Sequence, residues 1–235
     1  MTGAGGGIGR EVVVDFVNRG YSVLCWGRHP PIDRVAGADY VVCDVSDPVS
    51  VENATLGLRT RYKRVDVLVT SAAILKTMPL HRMTDDVWNE MISINLTGVF
   101  RACRAVLPFM IEQGGGSIVN LSSVHAIATV PGTGAYAATK GGIISLSRQI
   151  AVEYADHGIR SNSLVVGSVD TAMSTLHGEE LTRDSVTVVV PEGTIGRMAD
   201  PREIARAVAF LAGDDASFVN GAAFTVDGGL TSRLM

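Results

Sequence analysis

Thr2-Gly3-Ala4-Gly5-Gly6-Gly7-Ile8-Gly9 opens the chain and runs directly into a helical pattern over about Gly9–Asn18. Glycines let the backbone turn tightly and approach another group with no Cβ in the way. A helix that follows turns its free N–H groups and positive dipole end toward whatever sits there. The cluster therefore reads as a cradle for a pyrophosphate, with Gly3, Gly7, Ile8 and Gly9 as the binding positions. The competing reading is a flexible glycine-rich leader, and the β-α-β pattern that follows at once weighs against it. A cradle of this type normally follows a buried strand, yet only Met1 precedes Thr2. That strand would lie at the centre of a sheet, where its loss unpairs two neighbours. The sequence thus leads us to expect a missing first strand and a natural start upstream of Met1.

Working outward, short apolar runs read as strands at Tyr21–Trp26, Tyr40–Cys43, Val65–Thr70, Ser117–Leu121, Ser161–Val165 and Phe224–Val226. Helical patterns at about Asp47–Arg59, Asp85–Phe109, Ala135–Ala155 and Arg202–Leu211 separate them. Alternation of this kind implies an α/β fold, with parallel strands joined by right-handed helical crossovers and helices covering both faces. One domain over residues 1–235 accounts for the length, with no linker, repeat or low-complexity segment. Ligands of open α/β sheets bind beyond the carboxyl ends of the strands. The loop at about Thr171–Gly196 is the expected wall of the substrate pocket.

Composition narrows the function classes. Net charge is −4, and no run of Lys or Arg exceeds two residues, so electrostatics gives no reason to expect nucleic acid or an anionic membrane. No apolar stretch comes near the ~18 residues of a membrane span, and no signal peptide precedes the glycine cluster. Cys25, Cys43 and Cys103 are odd in number and show no metal-ligand spacing. Buried free thiols in a reducing compartment are the expectation, with no metal site and a cytoplasmic location.

Two polar groupings stand just after predicted strands. Tyr21–Trp26 ends in Gly27-Arg28-His29. An acidic residue there would accept from the adenosine ribose and favour NAD, whereas Arg28 could pair with a 2′-phosphate and favours NADP. A solvated surface Arg is the alternative, and Gly6 before Gly7 supplies no second basic group. Asp44 is placed either to accept from an adenine amino group or to cap the next helix. Further along, Ser122-Ser123 follows Ser117–Leu121, and Tyr136 and Lys140 come next, four residues apart on one helix face. A free phenol has a pKa near ~10, too high for easy proton exchange at neutral pH. A nearby ammonium and an oxidised nicotinamide would lower it, while a serine hydroxyl orients the substrate oxygen. A half-buried Tyr beside a snorkelling Lys is the bland alternative for the pair alone.

Taken together, these features resemble the short-chain dehydrogenase/reductases. Thr2–Gly9, Asp44, Asn95 in Ile94-Asn95-Leu96, Ser123, Tyr136-Ala137-Ala138-Thr139-Lys140 and Val226-Asp227-Gly228-Gly229 all fall in that family's order and spacing. The resemblance implies a Rossmann-like doubly wound parallel sheet and hydride transfer between NADP (or NAD) and an alcohol or carbonyl substrate. It makes Tyr136 the general acid/base, with Ser123 steadying the substrate oxygen. It also implies that Lys140 binds the nicotinamide ribose, and that Asn95 holds a water linking Lys140 to solvent at a local helix distortion. Val45 and Ala72 join the cofactor contacts, and Val169 and Thr171 match positions that contact the carboxamide. A homotetramer or homodimer is implied, packed through the long helices.

The chain departs from the family at Thr70-Ser71-Ala72-Ala73, where Asn-Asn-Ala-Gly is usual, and at Val166-Gly167, where Pro-Gly is usual. Both could loosen cofactor geometry, and they motivate a second reading, a sensor that binds the dinucleotide without turnover. Within the family, Gly167–Met173 and Ile195–Met198 are similar to NAD-dependent dihydrodiol dehydrogenases of the 2,3-dihydro-2,3-dihydroxybenzoate type. His125 is placed to face the substrate pocket, as a contact to a polar substrate or as a neutral lining residue.

Overall fold

The computed structural model describes residues 1–175 and 194–232. Six parallel strands are present among them: β1 (Val23–Gly27), β2 (Ala38–Val42), β3 (Val67–Thr70), β4 (Gly116–Ser123), β5 (Ile159–Val166) and β6 (Ala223–Val226). They form a two-stranded sheet β1-β2 and a four-stranded sheet β3-β4-β5-β6. Most of the predicted substrate loop, residues 176–193, lies outside the described residues.

What joins the two sheets is the start of the chain. Thr2 bridges Trp26 on one side and Thr70 on the other. Its N–H donates to the Val69 carbonyl at 3.0 Å, and the Trp26 N–H donates to the Met1 carbonyl at 2.7 Å. Met1–Gly3 therefore stand where the expected central strand would end. Behind them, between β1 and β3, a cavity of about 420 Å³ is lined by Met1, Val23, Leu24, Val67 and Leu68. Burial holds the Met1 ammonium below its ordinary pKa.

Helices cover both faces. On one, α1 (Gly7–Asn18) packs against α6 (Pro201–Ala212), burying Val12, Val13, Ile204 and Val208 over Val119 and Leu164. On the other lie α2 (Pro48–Arg61), α4 (Gly98–Gln113) and α5 (Gly134–Glu153). There Val106, Met110, Ile143 and Ile150 bury Leu68 and Ile118. Side chains alternate across a strand, so strands covered on both sides must be apolar in both registers. Asp47 caps α2 by accepting from Val49 and Ser50, and Asp200 and Glu203 form a capping box on α6.

A short helix α3 (Asp85–Met91) continues through a π-helical turn, Ile92–Thr97, into α4. One sequence expectation is corrected here. Asp85–Gln113 forms one helical stretch of 29 residues that is long and apolar enough to cross a membrane by length and composition. More than half of its apolar window is buried inside the protein, which accounts for its composition as a core helix. The three cysteines are free and buried, and burial pushes the Cys43 thiol up to about 11 and that of Cys103 to about 12.

Candidate active site

The glycine cradle is built by close approach. A Cβ at Gly3 (φ +70°) would lie 2.4 Å from the Ala72 nitrogen, and one at Gly9 would lie 2.0 Å from the Gly3 carbonyl oxygen. Gly7 (φ +51°) faces Thr171, whose Cγ2 would be 3.1 Å from an added Cβ. Gly3, Gly7, Gly9, Ala72 and Thr171 are therefore brought together, while Ile8 lies in the first turn of α1. Above them Gly5 and Gly6 border open space. The N-cap Gly6 offers no side-chain bond and the first turn holds no acidic residue, so no side chain caps the N–H groups at the helix start. A dinucleotide pyrophosphate fits this cradle, because it would satisfy those N–H groups.

Arg28 and Asp44 stand near one another beyond the ends of β1 and β2. Burial raises the Asp44 carboxyl, but bonds from Ser46 and the charges of Arg28 and Arg101 outweigh it and hold it below the usual range. Asp44 accepts from the Ser46 N–H at 2.8 Å and from the Ser46 hydroxyl at 2.6 Å. Val45 is buried beneath this turn. A basic residue that sequence reasoning missed joins them. Arg34 lines a cavity of about 100 Å³ with Gly5, Gly27 and His29, and its guanidinium lies 5.5 Å from the centre of the Tyr40 ring. Its place depends on the fold of a connection with no periodic signal.

Ser123, Tyr136 and Lys140 meet at the carboxyl end of β4. Ser123 is the last residue of the strand; its hydroxyl accepts from the His125 N–H at 3.3 Å and lies near enough to the Tyr136 phenol to favour its ionised form. Tyr136 and Lys140 share the buried face of α5. The Lys140 ammonium donates to the Leu121 carbonyl at 2.9 Å and lies 5.4 Å from the centre of the Tyr136 ring. Burial is the leading influence on both groups, and the Lys140 ammonium over the ring is itself desolvated. Burial pushes the Tyr136 phenol up to about 12 against the opposing influence of Ser123, and pulls Lys140 down to about 8.

Asn95 lies in the π-helical turn and is fully buried. π-turns inside α-helices widen the backbone and re-aim a side chain, which is the distortion the resemblance required. Asn95 bonds the Ile74 backbone and reaches the Thr139 hydroxyl at 3.5 Å, so it contacts α5 one residue before Lys140. His125 packs edge-on against Tyr136, ring centres 5.6 Å apart, and its Nδ1 meets the Thr129 hydroxyl at 3.1 Å. Val169 is buried in the core beside Val166.

The two departures have local explanations. Thr70 is buried and donates to the Asn120 side-chain oxygen at 2.8 Å, tying β3 to β4. Val166 fills core space at the end of β5, while Gly167 remains glycine because a Cβ would lie 2.7 Å from the Asp227 Cα. Among the described residues, no group of three or more His, Cys, Asp or Glu could hold a metal ion.

The family model described as enoyl-(acyl carrier protein) reductase matches residues 3–231. The chain belongs to the short-chain dehydrogenase/reductase family. It is 36% identical over 252 aligned positions to 2-(R)-hydroxypropyl-CoM dehydrogenase of Xanthobacter autotrophicus, covering 99% of this chain and 97% of the relative. It is 34% identical over 239 positions to the 3-oxoacyl-[acyl-carrier-protein] reductase of Thermotoga maritima, covering 98% and 96%. Levodione reductase superposes with a TM-score of 0.92 at 32% identity, over 99% of this chain and 96% of the other. A gluconate 5-dehydrogenase from Burkholderia cenocepacia, in complex with NADP and tartrate, gives 0.87 at 30%, over 99% and 94%. The fold is accordingly the Rossmann-like sheet of this family, and the chain is an NAD(P)-dependent enzyme of it.

Proposed function

We propose that the chain moves a hydride between NADP(H) and a secondary alcohol or ketone, with Tyr136 as general acid/base. The observation that carries this reading is the convergence of Ser123, at the end of β4, on Tyr136, with the Lys140 ammonium 5.4 Å from the centre of the same ring. When bound, the nicotinamide supplies or accepts the hydride. Gly3, Gly7, Ile8 and Gly9 hold the pyrophosphate, Asp44 and Val45 the adenine, and Ala72, Val169 and Thr171 the far half. Ser123 donates to the substrate oxygen and holds it beside Tyr136. During reduction the Tyr136 phenol gives that oxygen its proton; during oxidation it takes the proton back. Lys140 binds the nicotinamide ribose and carries positive charge beside the phenol, so that the phenolate forms at lower pH once the site is filled. Asn95 steadies a water between Lys140 and solvent.

NADP is favoured over NAD because Arg28 and Arg34 border the region beyond β1, where no carboxylate follows Gly27. Steady-state kinetics with both cofactors and a panel of ketones tests the reading. Reduction of ketones with NADPH preferred supports it; cofactor binding without turnover, or a strong NAD preference, overturns the respective part. We further infer a cytoplasmic homodimer or homotetramer joined through α4 and α5. Exposed Phe100 and Val152 lie on those helices; sedimentation at a monomer mass would overturn the assembly.

A further inference from the structure

The β2–α2 turn that carries Asp44 does not hold itself in place; α4 holds it. The Arg101 guanidinium donates through one nitrogen, Nη1, to two successive carbonyls of that turn, Val45 at 3.2 Å and Ser46 at 2.9 Å. One helical turn earlier, Gly98 lets α4 come close enough for this, because a Cβ there would lie 2.6 Å from Val45 Cγ2. Val45 is buried, so without the guanidinium its carbonyl would lose a partner in a place water barely reaches. The turn is also tied internally, by Ser46 to the Asp44 carboxylate and by the Ser50 hydroxyl to the Asp44 N–H at 2.9 Å. Those bonds fix its shape but not its position against the sheet. Only the contacts with α4 do that among the bonds of residues 44–46. The same continuous helix carries Asn95 at the other end of the groove, where it bonds Ile74.

We infer that Arg101 is a positioning residue for the adenosine end of the cofactor, anchoring the Asp44–Ser46 turn to the helix that also fixes the Asn95–Ile74 contact. The inference rests on the reading of this groove as a dinucleotide site. Arg101 acts through the carbonyls of Val45 and Ser46 rather than by touching the cofactor.

Equilibrium binding separates this from a general structural role. Wild type, Arg101→Ala and Arg101→Lys are titrated by calorimetry or ligand-observed NMR with three probes: NADPH, 5′-AMP as the adenosine half, and reduced nicotinamide mononucleotide as the other half. Arg101→Ala should weaken NADPH and 5′-AMP about tenfold and leave the mononucleotide within twofold. Arg101→Lys, which keeps a cationic donor, should recover part of the loss and gives a folded comparison should the alanine variant be unstable. Unchanged 5′-AMP affinity in Arg101→Ala, or equal weakening of both halves in either variant, overturns the inference. Wild type binding none of the three probes overturns the dinucleotide reading itself, and this inference with it.

Discussion

The Asn95 side chain brackets the Ile74 backbone: its Oδ1 accepts from the Ile74 N–H at 2.8 Å and its Nδ2 donates to the Ile74 carbonyl, also at 2.8 Å. This is the pairing a neighbouring strand would supply, delivered instead by one amide from a π-helical turn. It fixes the segment after β3 two residues beyond Ala72, whose nitrogen is the close neighbour of Gly3.

Replacing Asn95 with Leu removes both bonds at once and leaves two backbone groups short of partners. Each such group costs about 1–3 kcal/mol. Urea denaturation should show a loss of about 2–6 kcal/mol. NADPH affinity should fall as well, because the Ala72 side of the cradle is no longer held.

Tyr136→Phe keeps the ring in its pocket against His125 and deletes the hydroxyl proposed to exchange a proton with substrate. Turnover should fall by about 10²–10⁴, the usual contribution of a positioned acid/base. NADPH affinity measured by fluorescence should stay within about threefold, since the phenol lies beside Ser123 rather than in the glycine cradle. Retained turnover would remove Tyr136 from the mechanism.

Lys140 couples stability to pH with a definite sign. Burial lowers its pKa from 10.5 to about 8, so between those values the unfolded chain binds more protons than the folded one. Stability contributed by this group therefore rises with pH across that window. Below about pH 8 the buried ammonium is a standing cost. Lys140→Met should raise the melting temperature at pH 7 while impairing turnover, and the difference from wild type should shrink toward pH 10. A gap that widens with pH would contradict the assignment.

Gly3→Ala tests the cradle directly. The added methyl meets the Ala72 nitrogen at 2.4 Å and the residue sits at φ +70°. Strain of this kind costs about 1–3 kcal/mol. Dinucleotide affinity should fall more steeply than thermal stability, whereas Gly5→Ala, which meets nothing within 4 Å, should leave stability nearly unchanged.

Arg160 closes the carboxyl end of α6, donating to the carbonyls of Leu211 at 2.9 Å and Gly213 at 3.0 Å and to that of Val219 at 3.3 Å. Arg160→Ala should cost about 1.5–3 kcal/mol, the usual worth of a charged donor, because the Leu211 and Val219 carbonyls keep bonds from Ser117 and Asn162. Substrate KM should be unaffected, because α6 borders the back of the sheet.

Much of this architecture was legible in the sequence because it depends on local periodicity. The strand and helix runs fall within a few residues of their observed places, and the glycine cluster and the Tyr136–Lys140 spacing carry their geometry in the chain itself. β4 and β5 extend beyond the predicted runs because pairing of Ser122 with Val165 and Ser123 with Val166 keeps polar residues in strand. Hydropathy ends the strand where its polar residues begin; the ladder does not. Arg34 and Arg101 were not legible, since each acquires its place from residues distant in sequence. The Arg101 contacts, for example, span 55 and 56 positions. The π-helical turn has no local signal either: Ile92–Thr97 reads as ordinary helix.

Seen as a mechanical object, the sheet is two panels that meet at Thr2, which pairs with Trp26 on one side and Thr70 on the other. The smaller panel, β1 and β2, leads into Arg28 and Asp44; the larger carries Ser123 and supports Tyr136 and Lys140. Amides in β1 should therefore exchange with solvent faster than those in β4 and β5, which share an eight-residue ladder. A dinucleotide spanning the seam would act as a clasp, slowing exchange on both sides together.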